Sequence, residues 1–245
     1  MQIALPASIH APARTLPVRD DSTFLPQFRS PGLPDGMPWG PDNGNCGPAS
    51  IVNTLRLVGL DVPGFRGERT QAVIDAARLL TTGSNDPAAP TTKAQQAVAL
   101  RAAGADVATT RSLDAGLEAV RRGAVLLIGG DRAAPSWPRR LDDAPPTRVA
   151  NHAAVVARYE PATGHYVVFD PALFAPVRVD VAQLAAFTQV TDGANMLRLG
   201  LVVRGPASPS PTLAEPDQLT SSPSGAHVTA VARARSRRVR STDPR

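Results

Sequence analysis

Cys46 is the only cysteine among 245 residues, and it stands in "DNGNCGPAS" (42–50), among small and polar residues just ahead of an apolar helical pattern. A thiol becomes a strong nucleophile when its thiolate is stabilised, and the unpaired N–H groups and partial positive charge of a helix N-terminus do this. A lone cysteine also serves well as a small buried apolar residue, but these flanks favour an open, polar approach. Nucleophilic chemistry further needs a base and a group that orients it. The histidines are His10, His152, His165 and His227, and the first and last lie in segments without a folding pattern.

Local geometry separates the two that remain. "HAAVVARY" and "HYVVFD" are β-rich runs divided by "EPATG", which predicts a hairpin. With the turn centred near Pro161 and Ala162, His152 falls opposite or diagonal to Asp170 at the open end. Both share one face if the numbers of paired residues add to an even sum. An odd sum places them on opposite faces, and their pairing then requires a bulge. His165 lies beside the turn with the other parity and has no acid to orient it. Asp170 has a second use as the residue that leads the chain out of the strand, by bonding the backbone of "DPA".

The elements that must position these groups are also legible. Asn45 can cap a helix with Pro48 in its first turn and a stripe of Ile51, Val52, Leu55 and Val58 ending at Gly59. A second helix is expected over "ERTQAVIDAARLL", before Gly83, and a third from about Thr91, closed by Gly104. "ADVATT" and "AVLLIGG" are strand candidates around a helix capped by Ser112. The stretch from Asp131 to Val149, with four prolines and Trp137, is a long loop of the kind usually tied to function, and is expected to wall a groove. After the hairpin come "PVRVD", a short helix over Val181–Phe187 capped by Asp180, and a strand in "MLRLGLVV". Helices first and an antiparallel sheet after make an α+β fold.

In their order along the chain, "NCGPASIVNTL", "LDAGLEAVRRGAVLLIG", "NHAAVV" and "YVVFDPA" resemble the papain-like cysteine peptidases, and within them the bacteriocin-processing, double-glycine-peptidase-like branch. The resemblance spans about residues 40–203. It implies Cys46 as nucleophile, His152 as general base and acid, and Asp170 as the residue orienting the imidazole, with no cofactor and a protein or peptide as substrate. Such enzymes usually carry a glutamine six residues before the cysteine, where this chain has Gly40. The oxyanion donor is then expected to be the Cys46 backbone N–H with Asn43 or Asn45, and a missing donor costs about 10²–10³ in rate. The same triad also serves glutamine deamidation or acyl transfer, and a non-catalytic binding module is a third reading, which Gly40 favours.

Composition bounds the rest. Residues 1–37 and 206–245 are rich in Pro, Ser and Arg and are expected to be disordered, leaving a domain over 38–205. The net charge is +5, of which the last forty residues supply +3 through six Arg against Glu215, Asp217 and Asp243. "RARSRRVR" lacks interleaved aromatics and a nucleic-acid fold, so it is expected to be a solvated tail, with an acidic partner or membrane surface as the lesser alternative. A lone cysteine excludes an internal disulfide, and without a Cys/His cluster structural zinc is not expected. No apolar run reaches membrane length and no secretory signal pattern opens the chain. Arg in place of Lys, with abundant Ala, Pro and Gly, suggests a GC-rich bacterial genome. The expectation is a bacterial cytoplasmic protein or an effector delivered by a dedicated secretion machine.

Overall fold

A computed structural model of the chain describes residues 21–27, 44–86, 91–134, 136–139, 152–188 and 200–206. Helices α1 (Cys46–Leu57), α2 (Gln71–Thr82) and α3 (Lys93–Ala102) come first. They are followed by β1 (Asp106–Thr110), α4 (Leu113–Arg121), β2 (Val125–Gly130), β3 (His152–Glu160), β4 (His165–Phe169), β5 (Val177–Val179), α5 (Val181–Thr188) and β6 (Gly200–Arg204). The strands form one antiparallel sheet in the order β1-β6-β2-β3-β4-β5. This is the expected α+β arrangement.

Side-chain alternation along the strands makes a core on each face of the sheet. Val125, Leu127, Val155, Val167 and Phe169 join α1, α2 and α3 on one face. Leu126, Ile128, Ala154, Val156 and Val168 join α4, α5 and Trp137 on the other. Polar side chains set several helix boundaries. Thr92 and Gln95 form a capping box at α3, Ser112 accepts from Ala115 N–H at α4, and Asp180 and Gln183 exchange bonds at the start of α5. Gly83 closes α2 in the left-handed conformation, at φ 71°.

The hairpin carries the parity change that the sequence left open. Near the turn Glu160 pairs with His165 and Arg158 with Val167, an odd sum, whereas at the open end Val156 pairs with Val168 and Val155 with Phe169, an even one. The register shifts between Val156 and Arg158. Ala157 is therefore the extra residue of a β-bulge. On β3, Ala154 and Val156 face the same core as Tyr159, which shows the parity switching across it. By extension of the outer register His152 stands diagonal to Asp170, on the same face.

One expected boundary moves. Residues 21–27, placed outside the domain by composition, belong to its core: Phe24 and Leu25 are buried, and the Phe24 ring meets Phe169 edge-on at 5.3 Å. Two large apolar side chains give this short segment the burial that Pro- and Ser-rich flanks cannot. Asn53 of α1 holds it by accepting from Leu25 N–H (2.7 Å) and donating to the Leu25 carbonyl (3.0 Å). Gln27 N–H then donates to the Pro171 carbonyl at 2.7 Å, beside Asp170. Replacing Asn53 with Ala leaves two buried backbone groups unpaired and is expected to cost about 2–4 kcal/mol, read as a lowered midpoint of chemical unfolding. The rest of residues 1–37, and all from 207 onward, lie outside the described residues.

Candidate active site

Each group of the site stands at the end of an element. Cys46 is the first residue of α1 and keeps partial exposure. Asn45 occupies the N-cap, and its carbonyl accepts from Ala49 N–H at 2.9 Å. Its side chain does not cap the helix, contrary to expectation. The helical backbone at Asn45 (φ −75°, ψ −13°) turns that side chain away, and its Oδ1 accepts instead from Nη2 of Arg78 on α2. A guanidinium only donates, so this contact fixes the carboxamide with oxygen toward Arg78 and its NH₂ end turned the other way.

His152 opens β3 and is 4 % exposed. Its Nε2 lies 2.6 Å from Asp170 Oδ1. The ring also hydrogen-bonds the Cys46 side chain, and with Nε2 committed to the carboxylate, Nδ1 is the nitrogen available to sulfur. Cys46, His152 and Asp170, drawn from three separate segments of the sequence, thus form one connected chain of contacts. Ser50 Oγ donates to the Ala153 carbonyl at 3.2 Å and ties the first turn of α1 to β3 next to the histidine.

Asp170 is fully buried, and its carboxylate contacts both the imidazole and the backbone that follows β4. Oδ1 also accepts from Ala172 N–H at 2.8 Å, while the Asp170 carbonyl accepts from Leu173 N–H at 2.9 Å, so the carboxylate shapes the exit from β4 while it orients the ring. Oδ2 accepts from Trp137 Nε1–H at 2.9 Å. Trp137 stacks on Phe187 of α5 with centroids 4.0 Å apart, and Phe187 meets the His152 ring edge-on at 6.3 Å. The two aromatics keep water from the His152–Asp170 bond on that side, which strengthens it.

The electrostatics follow from these contacts. Burial pushes the Cys46 thiol up, but the hydrogen bond and charge of His152, together with the Ala153 and Gly47 N–H groups, outweigh it and hold the thiol below its ordinary value. Burial lowers His152, yet the charge and hydrogen bond of Asp170, and the contact with Cys46, raise it to about 9. Asp170 would be raised by burial, but the charge and hydrogen bond of His152, the charge of Arg132 and the indole N–H bring it below the usual carboxylate range. The arrangement favours a thiolate beside an imidazolium at neutral pH.

No protein-family model and no curated protein matches the chain. Among solved structures it is similar to the peptidase domain of Streptococcus ComA, a bi-functional ABC transporter involved in a quorum sensing pathway. The identity is 12 %, over 75 % of this chain and 98 % of that one, with a TM-score of 0.46. A C39-like peptidase from Bacillus anthracis matches at 15 % identity over 76 % and 95 % of the two chains, TM-score 0.46. A double glycine motif protease from an AMS/PCAT transporter, in complex with the leader peptide, matches at 14 % over 74 % and 94 %, TM-score 0.40. These neighbours are peptidase domains.

Of the residues expected in the site, Cys46, His152 and Asp170 come together and Asn45 adjoins them. Asn43 and Gly40 lie outside the described residues. His165 sits at the turn, paired with Glu160, away from the site. Trp137 was legible only as part of a loop. Its signal is that an indole buried by a loop needs an acceptor for its N–H. Arg78 and Lys93 were not foreseen. Arg78 is 1 % exposed, and burial lowers its pKa despite Asp75, Cys46 and Asp86 nearby. Burial pulls Lys93 down to about 7, against the attraction of Cys46. Among the described residues no group of three or more His, Cys, Asp or Glu could hold a metal ion.

Proposed function

We propose that the chain is a cysteine peptidase that cuts peptide bonds through a Cys46–His152–Asp170 triad. The observation that carries this reading is the continuous contact from thiol to imidazole to buried carboxylate, with the sulfur at a helix N-terminus. The thiolate attacks the carbonyl carbon, the imidazolium gives its proton to the leaving amine, and a thioester forms. His152 then takes a proton from water, which attacks the thioester and releases the acid. Asp170 keeps the ring aligned and stabilises its charge. The Cys46 backbone N–H, at the start of α1, is the first donor to the developing oxyanion, with the Asn45 carboxamide as second donor.

The pair should titrate in two macroscopic steps. Alkylation of Cys46 by iodoacetamide is expected to rise through a first midpoint below that of an ordinary thiol. Hydrolysis should fall as pH climbs through about 9, because a histidine raised to that value stays protonated at neutral pH and loses its proton only there. A single alkylation midpoint near the ordinary thiol value of about 8.5 would rule out the ion pair. Mass spectrometry of peptides and proteins incubated with the enzyme tests the reaction itself. Chain breaks support a peptidase, and a one-dalton change without a break assigns the triad to deamidation.

A further inference from the structure

Lys93 is the only lysine in the chain and the first residue of α3. The start of α3 abuts the site: Thr91 Oγ1 and Gln96 Nε2 stand where a side chain at Gly47 would go, next to Cys46. From there Lys93 Nζ crosses to the Ile128 carbonyl on β2, donating at 2.9 Å. Ile128 pairs with Ala154 and lies two residues from Gly130, the partner of His152. β6 pairs with β2 only through Leu127, so this carbonyl lies beyond the end of that pairing. Lys93 therefore links the start of α3, which abuts Gly47, to the strand beside the histidine, and its amine feels the charge of Cys46.

An ammonium has three donors, and Ile128 takes one. Among the described residues no carboxylate pairs with Lys93. Of the other cations near Cys46, the His152 imidazolium is committed to Asp170, and Arg78 is buried and committed to Asn45 and to the Asp86 carbonyl at 3.2 Å. Lys93 is only partly buried. A partly buried amine held by one carbonyl and paired with no carboxylate among the described residues lies within electrostatic reach of Cys46, and a carboxylate on the ligand, which favours the protonated amine, would complete it.

We propose that Lys93 is the anion-recognising residue of the Cys46 site and selects peptide substrates that carry a carboxylate next to the scissile bond. The proposal rests on the peptidase reading for its substrate, but the anion site itself can be tested without turnover. Because Cys46 is the only thiol, the rates of its alkylation by iodoacetate and by iodoacetamide can be compared in wild type, K93Q and K93R. Changes in the thiolate population affect both reagents alike and cancel in the ratio. The iodoacetate-to-iodoacetamide ratio is expected to fall about fivefold in K93Q and to be kept in K93R. An unchanged ratio in K93Q overturns the proposal.

A second arm uses matched peptides with Asp or Asn on either side of the cut, with free and with amidated C-termini. Wild type should prefer a carboxylate, K93Q should lose that preference, and the two C-termini tell a side-chain carboxylate from a terminal one. A wild type without acid preference, or a preference that survives in K93Q, overturns the proposal. If no peptide is cut yet the alkylation ratio falls in K93Q, the anion site stands and the peptidase reading fails.

Discussion

Replacing Cys46 with Ala is expected to abolish peptide hydrolysis, a loss of about 10⁵-fold or more, while the protein keeps its fold. The side chain is small and partly exposed, and α1 is held by buried Ile51, Val52 and Leu55, so removing one sulfur opens no large cavity. Unfolding midpoint and circular dichroism should match wild type within about 1 kcal/mol. Labelling by an electrophilic thiol probe should vanish as well, since the chain has no other cysteine. Hydrolysis near the wild-type rate in this variant would end the peptidase reading.

His152→Ala is expected to lower hydrolysis by about 10⁴-fold or more, and its effect on Cys46 separates chemistry from structure. The imidazole supplies the leading interactions that bring the thiol down, by hydrogen bond and by charge, whereas burial acts in the opposite sense and remains. The alkylation midpoint should therefore move up, to or beyond that of a free thiol. The double variant Cys46→Ala/His152→Ala should be no slower than Cys46→Ala alone, because the two side chains act as one unit. An unchanged midpoint in His152→Ala would mean that the helix terminus and the Ala153 and Gly47 N–H groups suffice, and that His152 does not activate the sulfur.

Much of this site could be read from residue types and spacing because its members sit where local rules are strong. Cys46 follows an N-cap position and precedes Pro48, His152 and Asp170 frame a hairpin, and glycines close α2 and α3. What escaped was set by tertiary contacts. Asn45 has the residue type and place of a side-chain cap, but nothing local to it reveals that a guanidinium thirty-three residues away takes its oxygen. Trp137 belongs to a loop whose path no periodicity records. Phe24 and Leu25 are two apolar residues in a polar stretch, too few to register as an element, yet they hold a place in the core because Asn53 pairs with both the N–H and the carbonyl of Leu25. Lys93 carries no signal in an arginine-rich sequence, since only the packing of α3 against the start of α1 brings it near Cys46.

The bulge at Ala157 divides the hairpin into two independently registered halves. Beyond it, Val155–Phe169 and Val156–Val168 set the phase in which His152 and Asp170 meet; before it, Pro161–Gly164 only close the turn. The hairpin tip is thereby insulated from the reaction centre. It is the natural point on this scaffold for grafting a loop, a tag or a docking sequence, whereas a single-residue deletion at Ala157 would rotate the histidine strand half a period and put base and nucleophile out of phase.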